Sequence, residues 1–283
     1  MKYEFLRFPE GRAKAVSFSY DDGSIHDVRF TETLNRYGIK CTYNLIGERV
    51  AIEKGLTRDF IRNEILAKGH EIADHGYEHA ALDAKNPLDT LDEILKCRLY
   101  LEQEFGCLVR GMGFPDRSVN RFHTPLTYAR IRQALIDCGI VYARVTGMDN
   151  DSFALPEDWF NWGVTARHSN PAVFDYIDRF LSLNENELYC ASRSPKHFFL
   201  CGHAHEFERD GNWDRLEEIC RRLGEHEDVW YATCIEVYEY VNAFRALERS
   251  ADGRRIYNPT LLDVWFDVDG VSHCVKSGQT ISL

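Results

Sequence analysis

Three groups of polar side chains have the types and spacings that chemistry requires. Asp21 and Asp22 are adjacent and precede Gly23. Neighbouring side chains diverge, so one carboxylate can bind a cation while the other takes a proton from water. The plainer reading is a turn with solvated acids. His75 and His79 stand four apart, and one helical turn would put both imidazoles on one face. Neutral imidazole ligates zinc and related metals, although such a pair also arises on ordinary surfaces. There is no glutamate to make it H-E-x-x-H, which removes that protease reading. Two histidines and one aspartate supply three protein ligands and leave positions open for water, the plan of a catalytic metal site. His203 follows the apolar run Phe198-Phe199-Leu200-Cys201-Gly202. It is placed to act as a general acid or base, or to be a hydrogen-bonded histidine at a sheet edge. Glu206 either fixes its tautomer or is a surface acid.

These residues fall at the ends of β-rich runs. Strands are expected over 15–22, 40–47, 70–75, 108–114, 140–146, 162–168, 197–203 and 229–234. Most are continuously apolar, as strands buried on both faces are. Amphipathic helices are expected between them. Thr57 can cap the segment holding Phe60, Ile61, Ile65 and Leu66, with Gly69 past its end. Pro87 suits the first turn of a long helix with the stripe Leu91, Ile94, Leu95, Leu99 and Phe105. Pro125, Pro171 and Asn212 open three more helices, and Gly224 ends the last. Seven or eight strand–helix units in series predict an α/β fold, a distorted parallel (β/α) barrel, with an open doubly wound sheet as the alternative. In a barrel the site lies where strands end and loops begin. From about residue 250 the pattern alternates around Asp269-Gly270, so the expected division is a barrel over 1–249 and a small β-hairpin extension over 250–283. Leu262, Val264 and Phe266 would need one buried face.

Composition narrows the function. The chain has 283 residues and a net charge of −11, which disfavours nucleic acid or an anionic membrane as partner. No apolar run approaches the roughly 18 residues of a membrane span. The nine cysteines form no C-x-x-C pair, and Met1–Arg12 has no apolar export core. A cytoplasmic protein with reduced thiols is the expectation.

At this point the sequence resembles the NodB-type polysaccharide deacetylases, carbohydrate esterase family four. Ser19-Tyr20-Asp21-Asp22-Gly23 is similar to that family's T-F-D-D-G motif. Gly69-His70-Glu71-Ile72-Ala73-Asp74-His75, followed by His79, is similar to G-H-E-I-x-x-H-x-x-x-H, and Leu200-Cys201-Gly202-His203 to the last motif. The resemblance spans roughly 14–245. Val109-Arg110-Gly111, Gly139-Ile140-Val141-Tyr142-Ala143-Arg144, Gly202-His203-Ala204-His205-Glu206-Phe207, Ala232-Thr233-Cys234-Ile235-Glu236 and Tyr257-Asn258-Pro259 resemble an intracellular-looking branch. The resemblance implies that Asp22, His75 and His79 hold one divalent metal, zinc first, with cobalt, nickel or manganese as alternatives. It implies that Asp21 is the general base and His203 the general acid. Phe114, Pro115 and Asp116 would then flank the substrate, with the Asp116 N–H facing the developing oxyanion.

The departures matter as much. Gly113 occupies the arginine position of the R-x-P-Y motif, and Asp116 stands where tyrosine is usual. Arg144 can replace the missing cation beside Asp21, or pair elsewhere. The fourth motif is not recognisable; Asp158-Trp159 and Trp162 could form an aromatic wall or pack in the core. His168 could touch substrate or close a strand. Cys201 and His205 replace tryptophan and tyrosine of the branch. The resemblance implies a hydrolase that removes N-linked or O-linked acetyl groups from a sugar or oligosaccharide. The alternatives are a same-fold amidohydrolase on a cyclic ureide and a non-catalytic sugar- or metal-binding relative. The expected partner is an N-acetylated sugar or small oligosaccharide, with a homo-oligomer left open.

Overall fold

Apolar runs at the centre of the chain become parallel strands, most of them separated from the next by a helix. The computed structural model describes residues 3–117, 125–147, 149–184 and 193–283. Strand β1 (Glu4–Arg7) opens the chain. Then β2 (Lys14–Asp22), β3 (Cys41–Leu45), β4 (Glu71–Asp74), β5 (Gly111–Gly113), β6 (Tyr142–Val145), β7 (Trp162–Gly163), β8 (Ala166–Arg167), β9 (Lys196–Gly202) and β10 (Val229–Tyr231) form one sheet of nine strands among the described residues. The order is β7-β6-β5-β4-β3-β2-β9-β8, with β10 against the start of β2. Every residue of β2 is buried, as the central position requires.

The two sheet edges, β7 and β8, are consecutive in the chain, separated only by Val164 and Thr165. The sheet therefore curls until its edges nearly meet, giving the distorted parallel barrel. Thr165 stitches the gap: its N–H donates to the Phe199 carbonyl at 2.7 Å and its hydroxyl accepts from the Phe199 N–H at 3.0 Å. The single strand expected over 162–168 is thus two short ones. Trp162–Gly163 pairs with β6, whereas Ala166–Arg167 has crossed to β9.

Helix punctuation follows local chemistry. The Asn86 side chain accepts from the N–H groups of Leu88 and Asp89, opening helix Pro87–Phe105, and Gly106 closes it at φ 67°. Thr57 caps only Arg58–Phe60, which continues as a π turn, Ile61–Ile65, and a 3-10 turn, Leu66–Lys68. The long helix presents a different face from the one its leucines imply. Leu95 and Leu99 lie 43% and 45% exposed, while Thr90, Glu93, Ile94, Cys97 and Leu101 are buried. Glu93 explains the rotation. Its Oε1 accepts from the N–H groups of Glu78 and Ala80 at 2.9 and 3.0 Å, so the helix must turn this carboxylate inward.

The chain ends are sewn together. Beyond helix Cys234–Arg245 come β11 (Glu248–Arg249), β12 (Arg255–Tyr257), β13 (Val264–Val268), β14 (Val271–Val275) and β15 (Thr280–Ser282). β13 and β14 form a hairpin, and β1 pairs along the other side of β13. Val264 and Phe266 are buried, whereas Leu262 is 38% exposed. Buried Arg193 donates through Nη2 to both Asp267 carboxylate oxygens at 2.7 Å. No helix among the described residues is long and apolar enough to cross a membrane.

Candidate active site

The end of β2 delivers two carboxylates to one place because the backbone changes hand there. Asp22 has φ 82°, a left-handed conformation that breaks strand alternation. Asp22, His75 and His79 each offer a ligand atom within 4.8 Å of the others, the one such cluster among the described residues. Nε2 of His75 and Nε2 of His79 each lie 3.7 Å from Asp22 Oδ1. The histidines do not meet on a helical turn. Residues 75–80 form a loop in which Gly76 and His79 are left-handed, at φ 76° and 62°. A side chain at Gly76 would run into Glu93, whose Cβ-to-Oε1 separation would be 2.6 Å. Glu93, through the two N–H groups it accepts, therefore shapes the loop that carries His79.

The residues fit a divalent cation. His75 Nδ1 donates to the Gly113 carbonyl at 2.7 Å, which leaves Nε2 with a bare lone pair facing the cluster. Burial holds the His75 imidazole well below its ordinary pKa, so it is neutral. His75 Nε2 and Asp22 Oδ1 are buried without any hydrogen-bond partner. Such orphaned atoms are costly unless an ion satisfies them. Two imidazoles and one carboxylate are a zinc-type donor set.

Asp21 is held from two other strands, β6 across the barrel and β3 beside it. Arg144 Nη2 lies 2.5 Å from Asp21 Oδ1, and the Asn44 amide donates to the same oxygen at 2.8 Å. Burial alone would raise this carboxyl. The Arg144 guanidinium, then His75, His203 and Asn44, overcome it and leave the pKa below the ordinary value. Gly113 faces Arg144 in register between β5 and β6. A Cβ on Gly113 would sit 2.6 Å from Asn44 Cγ and 2.7 Å from Arg144 Nη2. The small residue at the R-x-P-Y arginine position thus makes the room that the arginine from β6 fills.

His203 approaches Asp21 from the other side, with Nε2 3.9 Å from Oδ2. Its Nδ1 faces Glu206 Oε1 at 3.5 Å. Arg167 Nη2 binds both Glu206 oxygens, at 2.7 and 2.9 Å, and lies 3.3 Å from His203 Nδ1. It can donate to that nitrogen only when the nitrogen is bare; a protonated Nδ1 turns to Glu206. Burial would lower the His203 pKa, but Glu206 and then Asp21 and Asp22 raise it above the ordinary value. Glu206 itself is brought down to about 2: burial opposes ionisation, and His203 and Arg167 outweigh it.

Asp21, His75, His79, Phe114, Asp116, Arg144, Thr146, Arg167 and His203 line a cavity of about 200 Å³. Pro115 is buried, and Asp116 is exposed at φ 51°. His168 is 1% exposed and faces Tyr20 and Glu206 rather than this cavity. Trp159 and Trp162 pack in the core with Tyr142 and Phe199. Asn44, Glu93 and Arg167 were not anticipated from sequence. Arg167 directly precedes His168 at an expected strand end, and that was the signal available for it.

Residues 9–140, which carry Asp21, Asp22, His75 and His79, match the family described as Polysaccharide deacetylase. The match covers a little less than half of the chain. The peptidoglycan-N-acetylglucosamine deacetylase PgdA of Listeria monocytogenes is 26% identical over 110 residues, 38% of this chain. That stretch spans 22% of the relative's length, so only a fraction of PgdA has a counterpart here. A Mycobacterium smegmatis structure assigned as a polysaccharide deacetylase superposes with a TM-score of 0.58 at 19% identity, over 87% of this chain and 96% of that one. Puue allantoinase superposes with the same TM-score, 0.58, at 15% identity, over 82% and 91%. At these identities both speak for a shared fold. The matched stretch holds the Asp21-Asp22 pair, His75 and His79, whereas the cation beside Asp21, Arg144, lies beyond its end.

Proposed function

We propose that the protein is a metal-dependent hydrolase that removes N-linked, or O-linked, acetyl groups from a sugar or small oligosaccharide and releases acetate. The observation that carries the reading is the pair of buried, partnerless ligand atoms, Asp22 Oδ1 and His75 Nε2, beside a carboxylate locked by Arg144. Asp22, His75 and His79 would hold the ion, with zinc preferred and cobalt, nickel or manganese as alternatives. A divalent cation bound there polarises an acetyl carbonyl and acidifies water at neutral pH. Asp21, ionised and oriented by Arg144 and Asn44, takes the proton of the attacking water. The Asp116 N–H, beside Phe114 and Pro115 at the rim, stabilises the oxyanion. His203, charged through Glu206 and Asp21, gives its proton to the leaving nitrogen, so an amine departs and acetate remains.

Arg144 is assigned as the support of Asp21, in place of the R-x-P-Y arginine, and Glu206 as the support of His203. The net charge of −11 speaks against nucleic acid or an anionic membrane as partner. The eight cysteines among the described residues are unpaired, which suits a reducing compartment, the cytoplasm. Residues 250–283 are assigned a structural role. An acetate-release screen of N-acetylated mono- and oligosaccharides, run on chelated protein with zinc, cobalt, nickel or manganese added back, tests the function. Acetate from a sugar is the expected result. Turnover of a cyclic ureide without acetate release would replace the sugar reading, and metal binding with no turnover would make the protein a binder.

A further inference from the structure

We infer that Tyr20 and His168 form a relay behind Glu206 that holds His203 in its proton-donating orientation, which makes both of them positioning residues. The catalytic meaning of the relay rests on the function proposed above; its existence rests on geometry alone.

His168 directly follows β8, is 1% exposed and stands outside the cavity lining. Its Nδ1 lies 3.1 Å from the Tyr20 hydroxyl, and its Nε2 lies 3.3 Å from Glu206 Oε2. Phe207 stacks on the imidazole with centroids 4.0 Å apart, and Tyr20 lies nearly parallel to it at 5.7 Å. The residue before His203 is shaped to this ring: a Cβ on Gly202 would fall 2.0 Å from His168 Nδ1. Tyr20 stands where the resembling motif has phenylalanine, so its hydroxyl is an addition, and it meets His168.

The chemistry of the partners places the protons. Burial drives the His168 imidazole down to about 3, so it is neutral and has one donor and one acceptor nitrogen. The Glu206 carboxylate only accepts, which selects the tautomer with the proton on Nε2. The bare Nδ1 then accepts from the Tyr20 hydroxyl. Glu206 is thereby fixed with Oε2 toward His168 and Oε1 toward His203 Nδ1. The groups acting on His203 are Asp21 and Asp22 from β2, Asp27 from helix Asp27–Arg36, Arg167 from β8, His168 just after it, and His205 and Glu206 from helix Ala204–Arg209, which His203 precedes. Without the relay, Arg167 alone holds Glu206, nothing keeps Oε1 toward His203 Nδ1, and His203 gives up its proton at lower pH.

Histidine-nitrogen NMR of the zinc-loaded full chain reads this without needing turnover. His168 should be a neutral Nε2–H imidazole at neutral pH. In Tyr20→Phe the His203 titration midpoint should fall by about half a pH unit, and in His168→Phe by more. On an N-acetyl amide, Tyr20→Phe should lower kcat about two- to tenfold at unchanged KM, with less effect on an activated acetate ester. A purely structural Tyr20 would change Tm alone. An Nδ1–H or charged His168, or a His203 midpoint unmoved in both variants, would overturn the inference. If the midpoint shifts while the wild type releases no acetate from any substrate, the relay stands and the deacetylase reading falls.

Discussion

Arg144 reaches Asp21 from β6, and the room it needs exists because β5 has Gly113 opposite. Replacing Arg144 by Met would leave a buried carboxylate with Asn44 as its remaining donor. Removing one partner of a buried pair costs about 3–5 kcal/mol, so urea unfolding should show a loss of that order together with a large fall in turnover. Unchanged stability and rate would mean that Asp21 does not depend on this cation. His203 is separable from the metal cluster. His203→Ala should keep metal affinity and lose about a hundred- to ten-thousandfold in amide hydrolysis. An activated acetate ester has a better leaving group and should lose less. Equal losses on the two substrates, or loss of bound metal, would assign His203 a different task.

At the scale of elements, β9 carries a histidine that chemistry does not use. His197 lies between Trp162 and Phe199 with a partnerless Nε2, and burial depresses it to about 3. The folded state therefore resists protonating it while the unfolded chain, with a pKa of about 6.5, does not. Stability attributable to this neutral form is complete above about pH 6.5 and falls as pH drops toward the folded value. His197→Phe should remove that slope. Between pH 7 and pH 5 the wild type should lose about 2 kcal/mol more than the variant in urea unfolding, and parallel pH dependences would contradict the assignment. Strand positions were legible because they are continuous apolar runs between capped helices. The buried face of helix Pro87–Phe105 was not, because Glu93 turns inward to serve a loop remote in sequence. The meeting of His75 and His79 was legible as a pair, though not as a left-handed loop, since spacing alone cannot distinguish it from a helical turn. Arg144 was legible as a cation at a strand end, whereas Asn44 and Arg167 were not, because only the strand register brings them to Asp21 and Glu206.

For the whole molecule, the pairing of β1 with β13 and the Arg193–Asp267 contact tie both chain ends to the barrel. Asp267→Ala should strand a buried guanidinium at a cost of about 3–5 kcal/mol and leave kcat on the soluble fraction near wild type. A variant with unaltered Tm would show that the contact holds nothing. The barrel, curled until β7 and β8 nearly meet, sets the ends of β2, β4, β6 and β9 around one small cavity, and the proposed chemistry depends on a single ion there. The most direct measurement is acetate release from an N-acetylated oligosaccharide while chelated protein is titrated with zinc. The predicted result is no release without metal, a rise in step with occupancy, and a plateau at one ion per chain that Asp22→Ala cannot reach. Acetate release indifferent to chelation, or none at full occupancy, would contradict the account.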